Sequence, residues 1–203
     1  LDYWREKKAD ELEQIKKEQF LFWDRWNKIR TYAKGKGISI IGDLPVYAGT
    51  DSADTWAHRE VFLLDKYGYP LAGAGVPPDS FNAKGQNWGN PLYDWDELKK
   101  TGYDWWVKRM SRAMERFDYI RLDHFRGFSA FYAVPQGKEP CGGWWLPGPG
   151  KDFFGALAEK LGPLPLLAED LGLLDPQVHN LLKLTGCPGM LVYQFSAGEM
   201  ETM

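Results

Sequence analysis

Cysteine is scarce in this 203-residue chain: Cys141 and Cys187 are the only two. Two are too few for the disulfide framework of a small secreted domain, and they do not cluster with histidines at metal-ligand spacing. Two unpaired thiols in a reducing compartment are the expectation. Long apolar runs are missing too. None reaches the roughly 18 residues that a membrane-spanning helix needs. The start, Leu1-Asp2-Tyr3-Trp4, lacks the basic region and apolar stretch of a signal peptide. Neither charge dominates: 25 Lys and Arg face 28 Asp and Glu, which argues against nucleic acid or an anionic membrane held by bulk charge. No internal repeat or low-complexity tract occurs, and no glycine-rich stretch has the strand–glycine–lysine–helix pattern that cradles phosphate. The first residue is not Met, and Met203 follows an apolar segment, so both ends are expected to be cuts inside a longer protein.

Aromatic residues are plentiful, with ten Trp. They serve large cores, and they serve sugar-stacking surfaces equally well. Along the chain, Leu12, Ile15, Phe22, Trp26, Ile29 and Ala33 recur at helical steps and predict one long helix, stopped at Gly35 and Gly37. A short strand is expected at residues 38–41, ended by Gly42-Asp43-Leu44-Pro45. Residues 51–59 suit a short helix capped by Asp or Ser, and residues 62–65 a strand before a turn. Residues 73–90, rich in Gly, Pro and Asn, read as a long loop, and loops of that length are usually functional. Helices follow at 103–117, 151–160 and 176–184, the last with Pro at its start. Strands are expected at 119–122, 164–168 and 190–195, and a second Gly/Pro-rich loop at 135–150.

Alternating strands and helices imply an α/β fold of parallel strands with helical crossovers. Four such strands fit half of a (β/α)8 barrel or a small doubly wound sheet. Polar residues at successive strand ends, Asp43, Asp123 and Glu169, favour the barrel, whose active sites lie at the C-terminal ends of the strands. Residues 1–203 then read as one internal fragment of a barrel domain with long inserted loops.

Arg121 and Asp123 stand two apart on a strand and point to the same side. A neighbouring guanidinium favours the ionised carboxylate that a nucleophile needs. A purely structural Arg–Asp pair fits the same spacing. Glu169 ends the following strand. Carboxylates at equivalent ends of neighbouring strands, whose axes lie about 4.8 Å apart, suit the separation of about 5–5.5 Å that retaining glycoside chemistry requires. His58 and His179 are read as ordinary packing or surface residues, and Asp170 as a backbone cap.

The ordered set Arg-Leu-Asp-His-Phe-Arg-Gly (121–127) and Ala-Glu-Asp-Leu-Gly (168–172) resembles glycoside hydrolase family 77, the amylomaltases or disproportionating enzymes. So do residues 40–47, 51–58, 74–79, 85–93 and 188–190. The likeness runs from about Gln19 to Phe195. It implies strands three to six of a (β/α)8 barrel and transfer of α-1,4-glucan segments between maltooligosaccharides or longer glucans, with no metal or other cofactor and no nucleic-acid or membrane partner. It implies Asp123 as nucleophile and Glu169 as general acid/base. Arg121 orients Asp123, Asp43 supports Arg121, and His124 contacts the sugar beside the cleaved bond. Gln86 and Trp88, with Phe81 nearby, line the acceptor side of the cleft. The family's third carboxylate lies on the strand after the one expected at Met190, beyond Met203. A retaining α-glucan hydrolase and a catalytically incomplete glucan-binding fragment are the competing readings. The expected location is the cytoplasm, or the plastid in a plant.

Overall fold

The computed structural model describes residues 2–79, 82–172 and 174–194. The chain divides into two units, Leu1–Ile40 and Ile41–Met203. The first holds α1 (Asp2–Lys7) and α2 (Ala9–Gly35). The single helix expected here is interrupted at Lys8, whose backbone leaves helical values (φ −117°, ψ 27°) although its N–H still reaches the Trp4 carbonyl at 2.9 Å. The apolar stripe is largely exposed: Leu12, Ile15, Phe22 and Ile29 are open to solvent, and Ala33 is the buried residue of α2. Ion pairs Glu13–Lys16 and Asp24–Lys28 support the exposed surface of α2, each worth a few tenths of a kcal/mol at about the usual scale for such pairs. No helix among the described residues is long and apolar enough to cross a membrane.

The second unit runs β1 (Ile41–Leu44), α3 (Ala53–Ala57), β2 (Ala72–Val76), β3 (Gln86–Pro91), α4 (Trp95–Lys100), α5 (Asp104–Arg116), β4 (Tyr119–Leu122), β5 (Ala130–Pro135), β6 (Trp144–Pro147), α6 (Gly150–Leu161), β7 (Leu166–Ala168) and α7 (Pro176–Thr185). Two sheets result. One is parallel, in the order β1-β4-β7, and the other is antiparallel, in the order β3-β2-β5-β6. Two helices, α3 and α7, start at the caps the sequence suggests. Ser52 accepts from the Thr55 N–H at 3.2 Å to open α3, and Asp175 accepts from the Val178 N–H at 3.0 Å to open α7, with Pro176 next.

Four expectations are corrected. The first parallel strand lies at Ile41–Leu44 rather than 38–41. Gly42 does not stop it. That glycine exists because the Phe117 ring packs against it, within 2.1 Å of where a Cβ would sit. The supposed loop at 73–90 contains β2 and β3, and β5 and β6 were missed altogether. Their glycines serve close approach: a Cβ on Gly75 would stand 2.1 Å from the Gln86 carbonyl oxygen. Finally, residues 190–192 form no strand, Tyr193 and Gln194 are helical, and Phe195 lies outside the described residues. The Pro188 carbonyl accepts one bond from the Ala168 N–H at 2.8 Å, but proline has no N–H with which to continue a ladder. The strand expected at 62–65 is reduced to two isolated bridges, Phe62 to Tyr93 and Leu64 to Pro70.

The core that carries the parallel sheet is aromatic. The amphipathic face of α5 buries Trp106, Met110 and Ala113, and α6 buries Phe153, Phe154 and Leu157. Phe153 stacks on Phe128 with ring centroids 5.0 Å apart and meets Trp106 edge-on at 5.3 Å. Tyr93 is buried with them, and its hydroxyl donates to the Val46 carbonyl at 2.8 Å. Trp95 packs against the same core. Replacing Phe153 by alanine is expected to cost about 3–5 kcal/mol through lost burial and a cavity, whereas alanine at the exposed Leu184 should stay within about 0.5 kcal/mol. Urea unfolding of the full-length protein measures both, and equal effects would mean that the aromatic cluster is not the core.

Candidate active site

Register decides what meets at the C-terminal edge of the parallel sheet. Asp43 on β1 is the partner of Arg121 on β4, and Leu122 on β4 is the partner of Ala168 on β7. The ladder runs one step further. The Asp123 N–H donates to the Leu44 carbonyl at 3.2 Å, and the Glu169 N–H donates to the Leu122 carbonyl at 2.9 Å. Asp123 and Glu169 therefore stand at equivalent positions, at the same ends of adjacent parallel strands.

Arg121 joins the two flanks. Its guanidinium donates to Asp43 at 2.6 Å, contacts the Asp123 carboxylate at 3.1 Å, and turns its Nε to the Met190 sulfur at 3.3 Å. Partial burial works against the Arg121 charge. The hydrogen bond donated to Asp43 and the charges of Asp43, Asp123 and Glu169 outweigh it and raise the arginine's pKa. Glu169 is held by backbone: one oxygen accepts from the His124 N–H at 2.9 Å and the other from the Leu171 N–H at 3.0 Å.

That grip depends on an unusual backbone. His124 adopts φ 49°, ψ 53°, a left-handed conformation that few side chains take and histidine takes more readily than most. The chain turns there directly from β4 into the 3-10 turn Phe125–Phe128. Strain of this kind persists where the surroundings over-determine it, and here it aims the His124 N–H at Glu169. The ring is half-buried. It meets Trp88 edge-on with centroids 5.0 Å apart, and lies 6.4 Å from Tyr47. Burial, with the Arg126 charge adding to it, lowers the His124 pKa to about 4.

The antiparallel sheet delivers the remaining groups. Gln86 and Trp88, two apart on β3, share a face, and the Trp88 indole N–H donates to the Gln86 side-chain oxygen Oε1 at 3.0 Å. Trp88 stays exposed. Two bonds tie β3 to the loop after β1: Thr50 donates to the Gly89 carbonyl at 2.6 Å, and Asn90 to the Ala48 carbonyl at 2.8 Å. Of the candidate residues, Asp43, Arg121, Asp123, His124, Glu169, Gln86 and Trp88 thus form one contiguous surface. Phe81 lies outside the described residues. Asp170 caps backbone, its carboxylate accepting from the Met190 N–H at 2.7 Å, and so brings Met190 to Arg121.

Three features escaped the sequence reading. Tyr47 packs between Trp88, His124 and Tyr93. Its signal was its place four residues after Asp43, just past Pro45. Arg126 lies 3.9 Å over the Trp145 ring and pairs with Asp175 at 2.9 Å, locking the turn after Asp123 to the start of α7. Met190 stands in the 188–190 motif of the resemblance and at the start of an expected strand, and neither assigns it a place beside Arg121.

The family model described as 4-alpha-glucanotransferase, glycoside hydrolase family 77, matches residues 1–203. The chain belongs to this family. It is 50% identical over 182 residues to the 4-alpha-glucanotransferase, chloroplastic/amyloplastic, of Solanum tuberosum, covering 89% of this chain and 32% of that one. It is 45% identical over 179 residues to the 4-alpha-glucanotransferase of Thermus thermophilus, covering 88% and 36%. Among solved structures, the amylomaltase from Streptococcus agalactiae in complex with acarbose superposes with a TM-score of 0.92 at 41% identity, covering 96% of this chain and 40% of that one. The chain thus spans about a third of the length of the curated family members it matches.

The low His124 pKa has a consequence for stability. The folded state holds the imidazole neutral down to about pH 4, while the unfolded chain takes up its proton near the ordinary value of about 6.5. Between those values the unfolded state binds more protons. Stability therefore rises with pH through the window and is lost on acidification, by at most about 3 kcal/mol. His124→Gln should flatten this acid limb in urea titrations of the full-length protein between about pH 4 and 7. Parallel curves for both proteins would mean that His124 titrates normally.

Proposed function

We propose that this chain carries the catalytic acids of a 4-α-glucanotransferase, which moves a segment of an α-1,4-glucan to the 4-hydroxyl of an acceptor glucan or glucose. The observation that carries the reading is the equivalent placement of Asp123 and Glu169 on adjacent parallel strands, with Arg121 paired to Asp43 and Asp123. Family membership and the named activities of the relatives support it. In this reading β1, β4 and β7 are successive strands of a (β/α)8 barrel, and the antiparallel sheet is an insertion at its C-terminal mouth. Maltooligosaccharides and longer α-1,4-glucans are the partners. The cytoplasm is the place of action, or the plastid if the source is a plant.

Chemically, Asp123 attacks the anomeric carbon and forms the glucosyl-enzyme while Glu169 protonates the departing oxygen. Glu169 then takes the proton of the incoming hydroxyl, and the sugar leaves Asp123 with its configuration retained. Arg121, pinned by Asp43, keeps a positive charge beside the nucleophile. Gln86 and Trp88 offer a hydrogen-bonding edge and an aromatic face to the acceptor sugar, and His124 meets the sugar beside the cleaved bond. The two carboxylates supply both nucleophile and proton transfer, so the mechanism calls for no cofactor.

Given maltotriose, the full-length protein is expected to release glucose and build a ladder of longer maltooligosaccharides. Chromatography that finds glucose and maltose alone would favour a hydrolase, in which water resolves the intermediate. The roles of the acids separate with a glycosyl fluoride donor, whose leaving group needs little protonation. Glu169→Gln should accumulate a glucosylated protein visible by mass spectrometry, and Asp123→Asn should show none. The reverse pattern would exchange the two roles. Near-normal activity in both variants would make the pair structural.

A further inference from the structure

Tyr47 is the aromatic residue of this site that the proposed chemistry does not use. Among the described residues its hydroxyl is buried without a hydrogen-bond partner, and so is Nε2 of His124. A buried polar atom left unpaired costs about 1–3 kcal/mol, so two of them at one place call for a common partner. They do share a place. A Cβ built on Gly127 would lie 3.6 Å from the Tyr47 hydroxyl, 3.9 Å from His124 Nε2 and 3.2 Å from His124 Cδ2. Gly127 bears no side chain, so no Cβ stands against the phenol and the imidazole. The shared place has polar groups on two sides, which is what a buried water requires.

The protonation states fix what each group can offer. Burial, with Tyr93 alongside, raises the Tyr47 phenol well above its ordinary value, so the hydroxyl keeps its proton. His124 is neutral at physiological pH. A neutral imidazole has one donor and one acceptor nitrogen, and the partner of one nitrogen selects the tautomer.

We propose that Tyr47 is a positioning residue for His124: through one water seated against Gly127 it donates toward Nε2 and fixes the Nδ1–H tautomer. His124 then presents a single, oriented N–H donor to an acceptor oxygen of the bound sugar. The sugar contact rests on the glucanotransferase reading, whereas the tautomer does not. Trp88, edge-on to the same ring, and Tyr93, stacked 6.2 Å from Tyr47, hold the pair in place.

The test is nitrogen NMR of the full-length protein labelled with 15N-histidine, with His124→Gln to assign the signals. The unmodified protein should show His124 as the Nδ1–H tautomer near neutral pH. Tyr47→Phe, which keeps the ring, should shift it to a mixture of tautomers. Gly127→Ala should do the same with Tyr47 intact, because the methyl group fills the space. With maltotriose as substrate, Tyr47→Phe should raise KM by about 2- to 10-fold, the worth of one neutral hydrogen bond, and leave kcat within about twofold. An Nε2–H tautomer in the unmodified protein, or a tautomer ratio that Tyr47→Phe does not move, would overturn the proposal. A protein with no transferase activity but the expected tautomer change would keep the positioning role and reject the substrate.

Discussion

Arg121 projects from the central strand of the parallel sheet with an acid on either hand. The guanidinium reaches Asp43 on β1 and Asp123 two residues along its own strand, and its Nε meets the sulfur of Met190. One cation thus fixes the position of the strand-end carboxylate and ties it to a neighbouring strand. The arrangement holds only in one register. A slip of a single residue turns every side chain to the opposite face, and would replace Asp43 opposite Arg121 by Gly42 or Leu44. The alternation along β1, with Gly42 and Leu44 inward and Ile41 and Asp43 outward, makes that slip costly: it would expose Leu44 and bury a carboxylate.

A second constraint acts at the turn after β4. His124 takes a left-handed backbone conformation so that its N–H can hold Glu169, while its ring enters the aromatic group of Tyr47 and Trp88. One residue therefore links the acid on the next strand to Trp88 on the antiparallel sheet. The Arg126–Asp175 pair, set 3.9 Å over Trp145, anchors the far side of the same turn. The antiparallel sheet and the parallel sheet meet through side chains within a few positions of Asp123.

Glycine explains why the antiparallel sheet was hard to read. Gly73, Gly75, Gly85 and Gly89 look like loop residues, and β2 and β3 lack the alternating β-branched pattern of an ordinary strand. In the folded chain two of these positions admit a neighbouring backbone: the Gln86 carbonyl stands where a Cβ of Gly75 would be, and Gly85 takes φ 71° against the Val76 carbonyl. The advantage of glycine there depends on a partner strand that lies elsewhere in the chain, and local composition does not name it. Trp88 and Tyr93 illustrate the same limit. Both are aromatic and five residues apart, yet one ends exposed at the cleft and the other buried in the core.

The sequence by itself determined the helices with strong periodicity and caps, the strand at Tyr119–Leu122, and the pair of acids at successive strand ends. Those signals are local: hydrophobic spacing, an Asp or Ser cap, a motif of seven residues. Only the tertiary structure decided the register that puts Asp43 opposite Arg121, the pairing of β2, β3, β5 and β6, the left-handed turn at His124 and the burial of Tyr47 beside it. Each depends on which distant segment lies alongside, and the energy of a backbone ladder or a shared buried space belongs to both segments at once.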